Sequence, residues 1–424
     1  MKSAFSERLP RIGAPQAFGP AAVITRRAAD RLRAGHLWVY RSDIDELIPA
    51  LGQAEVAGGA LLSVMDSRGF PLGTALYSDA SQISLRFVSE AHSLSRESYL
   101  AETRERILAA LALRDVLAPG SLQNNACRLI FSEADNLPGI VADRYNDLVV
   151  LQLLTQGTAQ DDLRELLPDV LSESLGLETI VERPDARVRE LEQLAPPSPT
   201  PLYARTPDAP RLATQFTING LNFHFDAEAG QKTGAFLDQR LNYAAAATYA
   251  RGRALDVCTY QGGFALHLAR VCEQVTGVDA SRSALEVADR NFQLNPGLAS
   301  TDWIEADAFE LLREFETSGE RFDTIVLDPP AFAKTKRAAE GAMRGYKELN
   351  LRAMKMLRPG GALITCSCSH HVPLDEFMEA ITASASDAKR RVQVLETRGA
   401  APDHPSVLTL PETNYLKCVI CRVG

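Results

Sequence analysis

Two apolar runs that end in chemically capable residues constrain this chain more than any other feature. Ile325-Val326-Leu327 leads into Asp328-Pro329-Pro330-Ala331-Phe332, and Ile364-Thr365-Cys366-Ser367 leads into Cys368-Ser369. Short runs that are apolar throughout are the pattern of buried parallel strands, because crossover helices cover both faces of such a sheet. In open α/β sheets, ligands bind at the carboxyl edge of the strands. Asp328 and Cys368 are therefore the leading candidates for chemistry, a carboxylate and a thiol delivered to one edge.

The surrounding pattern agrees. Strands are expected at Arg253–Val257, Gln274–Asp279, Trp303–Glu305, Phe322–Leu327 and Ala362–Thr365. Helical spacing falls between them, from Phe264, over Ser281–Leu294 and over Tyr346–Leu357. That alternation is a doubly wound α/β domain. Short alternating runs between residues 21 and 92 read as a small, mostly β module. A helix over Leu94–Leu117, with strands at Cys127–Phe131 and Leu148–Leu151, reads as an α+β module. Between Pro196 and Pro210 six of fifteen residues are proline, a composition that excludes a helix or a central strand and reads as a linker or an extended connection at a domain boundary. The expected organisation is thus residues 21–92, 93–205 and 206–424.

Asp256-Val257-Cys258-Thr259-Tyr260-Gln261-Gly262-Gly263-Phe264 lies at the first strand-to-helix turn of the α/β domain. Paired glycines let a backbone approach a ligand closely, and free N–H groups at the helix start attract anions. Asp279 ends the next expected strand, where a carboxylate can take both hydroxyls of a ribose. The glycines do not follow the G-x-G-x-x-G spacing of dinucleotide sites, so a nucleoside that carries a carboxylate is the better fit. S-adenosylmethionine is such a ligand: ribose on Asp279, adenine amine near Asp307, and the methionine end over the glycine turn.

The net charge is -9, with Lys and Arg numbering 45 against 54 Asp and Glu. The deficit is not uniform, since Met1–His92 carries ten basic and nine acidic residues. Within it Arg26, Arg27 and Arg31 cluster near Trp38 and Tyr40, a basic face that can bind phosphate despite the acidic total. Lys334, Lys336 and Arg337 form a second basic segment directly after the Asp-Pro-Pro motif. Seven cysteines without framework spacing point to reduced thiols in a cytoplasmic protein. No run approaches the ~18 apolar residues of a membrane span, and Met1–Pro20 lacks the core of a secretory signal. No metal site is expected. Cys366, Cys368, His370 and His371 are too close in sequence to converge tetrahedrally, and Cys418-Val419-Ile420-Cys421 reads as a core strand.

Taken together, Tyr260-Gln261-Gly262-Gly263-Phe264, Val278-Asp279, Leu327-Asp328-Pro329-Pro330, Gly345-Tyr346-Lys347 and Ser367-Cys368-Ser369 resemble the ribosomal RNA large subunit methyltransferase I family. Lys232–Arg240, Asp403-His404-Pro405 and Tyr415-Leu416-Lys417 support the resemblance, which covers nearly the whole chain. It implies a Rossmann-like class I methyltransferase domain preceded by a PUA-like RNA-binding domain and an α+β middle domain. It further implies S-adenosylmethionine as cofactor, large-subunit ribosomal RNA as partner, and 5-methylcytosine as product. Self-association into a homodimer is compatible with it. By resemblance Cys368 is the nucleophile and Asp328 serves N3 of the base. The cofactor would rest on Asp256, Tyr260, Gly262, Gly263, Phe264, Asp279, Asp307 and Asp328, with Phe236, Gln239 and Arg240 from the segment before the first strand. Many RNA cytosine-C5 methyltransferases carry a second cysteine after the proline of the Asp328 motif. Here Pro330 and Ala331 follow, so either one cysteine suffices or another group substitutes.

Overall fold

Ile325, Val326 and Leu327 are almost completely buried, as are Leu363, Ile364 and Cys366, so both apolar runs lie in the interior of a sheet. The structure is a computed structural model describing residues 19–228, 234–332 and 339–424. Lys334, Lys336 and Arg337 lie outside the described residues, as do Lys232 and Thr233.

The chain divides into two compact units. The one that carries the apolar runs comprises Leu117–Cys127, Leu212–Pro405 and Asn414–Gly424. Its sheet has seven strands: β1 (Arg253–Val257), β2 (Gln274–Asp279), β3 (Ser300–Glu305), β4 (Phe322–Leu327), β5 (Leu357–Ser367), β6 (Val392–Arg398) and β7 (Lys417–Val423). Their order is β3-β2-β1-β4-β5-β7-β6. The first five run parallel, and β7 is antiparallel to both β5 and β6. The order reverses between β1 and β4, which opens a crevice at their carboxyl ends.

Six helices belong to this unit: α1 (Arg240–Tyr249), α2 (Gly263–Leu268), α3 (Arg282–Gln293), α4 (Ala308–Ser318), α5 (Ala339–Met356) and α6 (Leu374–Ala388). Capping fixes where two of them start. The Ser281 hydroxyl accepts from the Ala284 N–H at 3.3 Å, and the Asp307 carboxylate accepts from Phe309 and Glu310 at 2.9 and 3.0 Å. Tyr346, Leu349 and Ala353 of α5 and Phe377 of α6 are buried in one core with Ile325 and Leu363. A hairpin of Ala213–Ile218 and Leu221–Asp226 precedes α1, turned at Asn219-Gly220 with both residues at positive φ.

The second unit contains a six-stranded sheet between Ala21 and Ser89 and a five-stranded sheet between Ala126 and Ala204. Ile24, Val39, Leu62, Val64 and Leu85 form the core of the first. The proline-rich segment is more than a linker. Tyr203–Ala204 is an edge strand, paired with Thr179–Ile180. An edge tolerates the neighbouring prolines because only one side of it needs N–H donors. The arginine cluster also differs from expectation. Arg26 and Arg27 are exposed on the helix Arg26–Arg33, whereas Arg31 pairs inward with Asp43 and lies 5.5 Å from the Tyr40 ring centroid.

Candidate active site

The glycine turn is held in an unfavourable conformation by many bonds. Cys258, Tyr260 and Gly262 all have positive φ, of 65°, 51° and 86°. For the two residues with a Cβ this costs on the order of 1–2 kcal/mol each, and such strain persists only where the surroundings over-determine it. Here they do. Thr259 N–H donates to Val278 O at 2.9 Å, Tyr260 N–H to the Asp279 carboxylate at 2.9 Å, and the Asn291 amide to Gln261 O at 3.0 Å.

Asp256 organises the turn from below. One of its oxygens accepts from the Thr259 hydroxyl at 2.6 Å and from Ala265 N–H at 2.9 Å, while the other is buried without a partner. Burial pushes its pKa up to about 7 against those two hydrogen bonds, with Asp279 adding repulsion. Asp256 has no accessible surface, so it acts on a ligand through the turn rather than by touching it. The helix that follows, α2, has only six residues, which makes the backbone of the turn the relevant donor. His267 of α2 ties the turn to the hairpin. Its Nδ1 lies 2.7 Å from Gly263 O and its Nε2 3.0 Å from the Asn219 amide, an arrangement that a neutral imidazole satisfies. Burial accordingly pushes its pKa down to about 4.

Above the turn, Tyr260, Gln261, Gly263 and Asp328 line a cleft with Phe236 and Tyr243. Phe236 is 42% exposed and meets Tyr260 edge-on at 5.1 Å. Asp279 ends β2 half-buried, its other oxygen accepting from Ser281 N–H at 2.8 Å. Asp307, exposed past β3, uses one oxygen as a helix cap. Paired acceptors at a strand end, aromatic rings and an open backbone turn together fit a nucleoside with a charged amino-acid tail. Arg240 is turned elsewhere, buried and paired with Asp403 at 2.6 Å.

Asp328 and Cys368 come together as their strands require. Asp328 follows β4 and Cys368 follows β5, and the thiol sulfur lies 3.9 Å from the Pro329 carbonyl oxygen. Burial pushes Asp328 up to about 8, with Asp238 and Asp256 repelling its charge and the Gln239 amide, at 3.1 Å, opposing them. The thiol is pushed up to about 11, first by burial and then by Asp328 and Asp238, while Lys417 pulls it down. Cys366 reaches the site only from the interior, through the Gln239 side chain that also bonds Asp328. It is fully buried and lies directly across from Cys418 in β7.

Several neighbours stood in the sequence only as motifs of the resemblance, with no role assigned to them. Ser367 donates to the Tyr346 hydroxyl at 2.9 Å, and that hydroxyl lies 2.8 Å from the Ser369 hydroxyl, so Tyr346 of α5 straddles Cys368. Tyr415 donates to Asp238 at 2.5 Å. The Lys417 ammonium donates to Ser369 O at 2.7 Å and Tyr415 O at 2.8 Å. A lysine opening the otherwise apolar run Lys417–Cys421 was the available signal.

Known proteins share this fold. The sequence profile of S-adenosylmethionine-dependent methyltransferases matches residues 207–415, and that of PUA-like domains matches residues 23–90. Among solved structures, SMU.776, described as a methyltransferase and crystallised with SAH, superimposes with a TM-score of 0.78 at 17% identity over 94% of this chain and 99% of its own. A protein from Streptococcus mutans, described as SAM-dependent, gives 0.77 at 18% identity with the same coverage. Fold, strand-end acids and profiles define a methyltransferase that uses S-adenosylmethionine and carries a PUA-like domain. Ribosomal RNA large subunit methyltransferase I of Yersinia pestis bv. Antiqua (strain Angola) is 36% identical over 393 residues, 92% of this chain and 95% of that protein. The same protein of Yersinia pseudotuberculosis serotype O:3 (strain YPIII) matches equally. The chain belongs to the ribosomal RNA large subunit methyltransferase I family.

Proposed function

We propose that this protein methylates C5 of a cytosine in large-subunit ribosomal RNA through a covalent adduct with Cys368. One observation carries the reading: a partly exposed thiol at the end of β5 packs against the Asp328-Pro329 corner, beside a carboxyl group that burial pushes up to about 8.

The chemistry requires both groups. C5 of cytosine is a weak nucleophile until C6 is attacked, so the sulfur forms a bond to C6 and the C5=C6 electron pair shifts towards N3. Protonated Asp328 delivers its proton to N3 as that charge develops, and its raised pKa suits it to this task. The resulting enamine carbon C5 takes the methyl group. A base then removes the C5 proton, that electron pair re-forms C5=C6 as the S–C6 bond breaks and its pair leaves on sulfur, and N3 returns its proton to Asp328. S-adenosylmethionine supplies an electrophilic methyl group when bound. Asp279 would hold its ribose, Asp307 its adenine amine, and the Tyr260–Phe264 turn with Phe236 its methionine end. Asp256 and Gln239 support that cradle through Thr259 and Asp328.

Packing of Phe332 supports carbon rather than amine methylation. Its ring lies 4.9 Å from Tyr346 and 5.9 Å from Phe309, so it is held in an aromatic cluster and not offered to a base. The 21–92 module, with Arg26 and Arg27 outward, supplies RNA affinity in this reading, and Lys334, Lys336 and Arg337 are further candidates. A flipped-out base is needed because C6 must meet the sulfur. Nucleoside mass spectrometry of unmodified large-subunit RNA, incubated with S-adenosylmethionine and either parent or Cys368→Ala, tests the proposal. We expect 5-methylcytosine with the parent alone. A methylated amine, or turnover that survives in the variant, overturns it.

A further inference from the structure

Lys417 is a buried lysine, 7% exposed, and among the described residues no carboxylate lies within ion-pair distance of its ammonium. Its hydrogen bonds are to two backbone carbonyls, Ser369 at 2.7 Å and Tyr415 at 2.8 Å. Carbonyl dipoles alone compensate a buried charge poorly, and such an ammonium persists where an anion is to form beside it. The residue next to its Ser369 anchor is Cys368. Strand register explains the placement: Lys417 opens β7 directly opposite Ser367, the last residue of β5.

We propose that Lys417 is the positioning residue of the Cys368 thiol, pinning the Ser369 carbonyl and supplying the positive charge beside which the sulfur ionises. In that ionisation the S–H bond breaks, the electron pair stays on sulfur, and the proton leaves to water across the accessible face of Cys368. Among the described residues, titratable groups acting on the sulfur are Asp328 after β4, Asp238 before α1, Tyr346 of α5 and Lys417 of β7. Lys417 is, among the described residues, the cation of this group. The coupling is mutual, since burial lowers the lysine to about 8 while the thiolate charge works to raise it. Tyr346 completes the clamp through Ser367 and Ser369 but adds no charge.

The inference rests on the thiol reading, and its test does not require turnover. Iodoacetamide alkylation of Cys368 in the full chain, followed by peptide mass spectrometry at about pH 8, reads the thiolate fraction directly. Below the thiol midpoint, each pH unit by which that midpoint rises slows the reaction about tenfold. Lys417→Met should alkylate about tenfold more slowly or worse, and Lys417→Arg within about threefold of the parent. Should Lys417→Met fail to fold, Lys417→Gln, which keeps an amide donor for the carbonyls, should show the same slowing. An unchanged rate in the neutral variant overturns the proposal, as does an arginine variant that slows as much as methionine. The two readings fail separately. Turnover surviving in Cys368→Ala removes the nucleophile whatever the alkylation gives, whereas unchanged alkylation removes only the role of Lys417.

Discussion

Asp256→Asn should make the methyltransferase unit lose less stability as pH rises from about 4 to about 7. Asp256 is fully buried, one of its oxygens has no partner, and no cation among the described residues pairs with it. Burial raises its pKa from 3.8 to about 7. The folded chain therefore holds this proton more tightly than the unfolded chain does. The stability linked to it is complete below about pH 4 and is lost as pH rises to about 7. About three pH units at ~1.4 kcal/mol each give an upper bound of about 4 kcal/mol, of which roughly 3 fall between pH 5 and pH 8. Asparagine mimics the neutral acid and carries no such dependence. Urea unfolding of the full chain, followed through Trp303 in a Trp38→Phe background, measures the difference. Relative to parent, the variant should gain roughly 3 kcal/mol between those pH values, with other titrating groups cancelling. Parallel pH profiles would refute the assignment of a buried, unpaired acid beneath the turn.

Three further outcomes are expected. Asp328→Asn should cut methyl transfer at least ~100-fold while speeding alkylation of Cys368 at about pH 9, because the largest charge repelling the thiolate is gone; slower alkylation would contradict the electrostatics. Gly263→Ala would place a Cβ 2.5 Å from Cζ of Tyr243, whose ring is buried and braced edge-on against Phe264 at 4.7 Å. This should cost roughly 1–3 kcal/mol of stability and about tenfold in S-adenosylmethionine affinity by calorimetry, and an unchanged Tm and Kd would remove the turn from the binding site. Tyr346→Phe leaves two buried serine hydroxyls short of a partner, a loss of about 1–3 kcal/mol. It should lower kcat in single-turnover assays while leaving S-adenosylmethionine affinity intact, and an equal loss in both would show a general collapse of the fold.

The catalytic edge was legible because parallel strands buried on both faces write themselves as uninterrupted apolar runs. β1, β2 and β4 occupy the expected residues, and Asp328 and Cys368 fall one residue past β4 and β5. The neighbours of the thiol were legible as motifs but not as neighbours. Tyr346 and Lys417 reach Cys368 only through the packing of α5 and through an antiparallel register that a lone apolar run does not specify. The hairpin at Asn219-Gly220 was readable and missed: its strands alternate buried and exposed around a strong turn signal. Composition could not separate Arg31, which is paired inward, from Arg26 and Arg27, because the partner Asp43 lies on a different element. Nor could it show that Asp256 sits beneath the turn rather than in the cleft, since a strand-end acid reads the same in either place.

The position of β7 has a consequence for biosynthesis. The strand that carries Cys368 is flanked by β4 on one side and by residues 417–423 on the other. During vectorial synthesis β1 to β5 emerge and can pair while that second flank is still empty, and the lysine beside the sulfur arrives with the same late strand. The surroundings of the thiol are thus completed in one step, after β1 to β5 have already had time to pair. A nascent chain arrested before residue 417 would carry an intact glycine turn and a thiol without its cation.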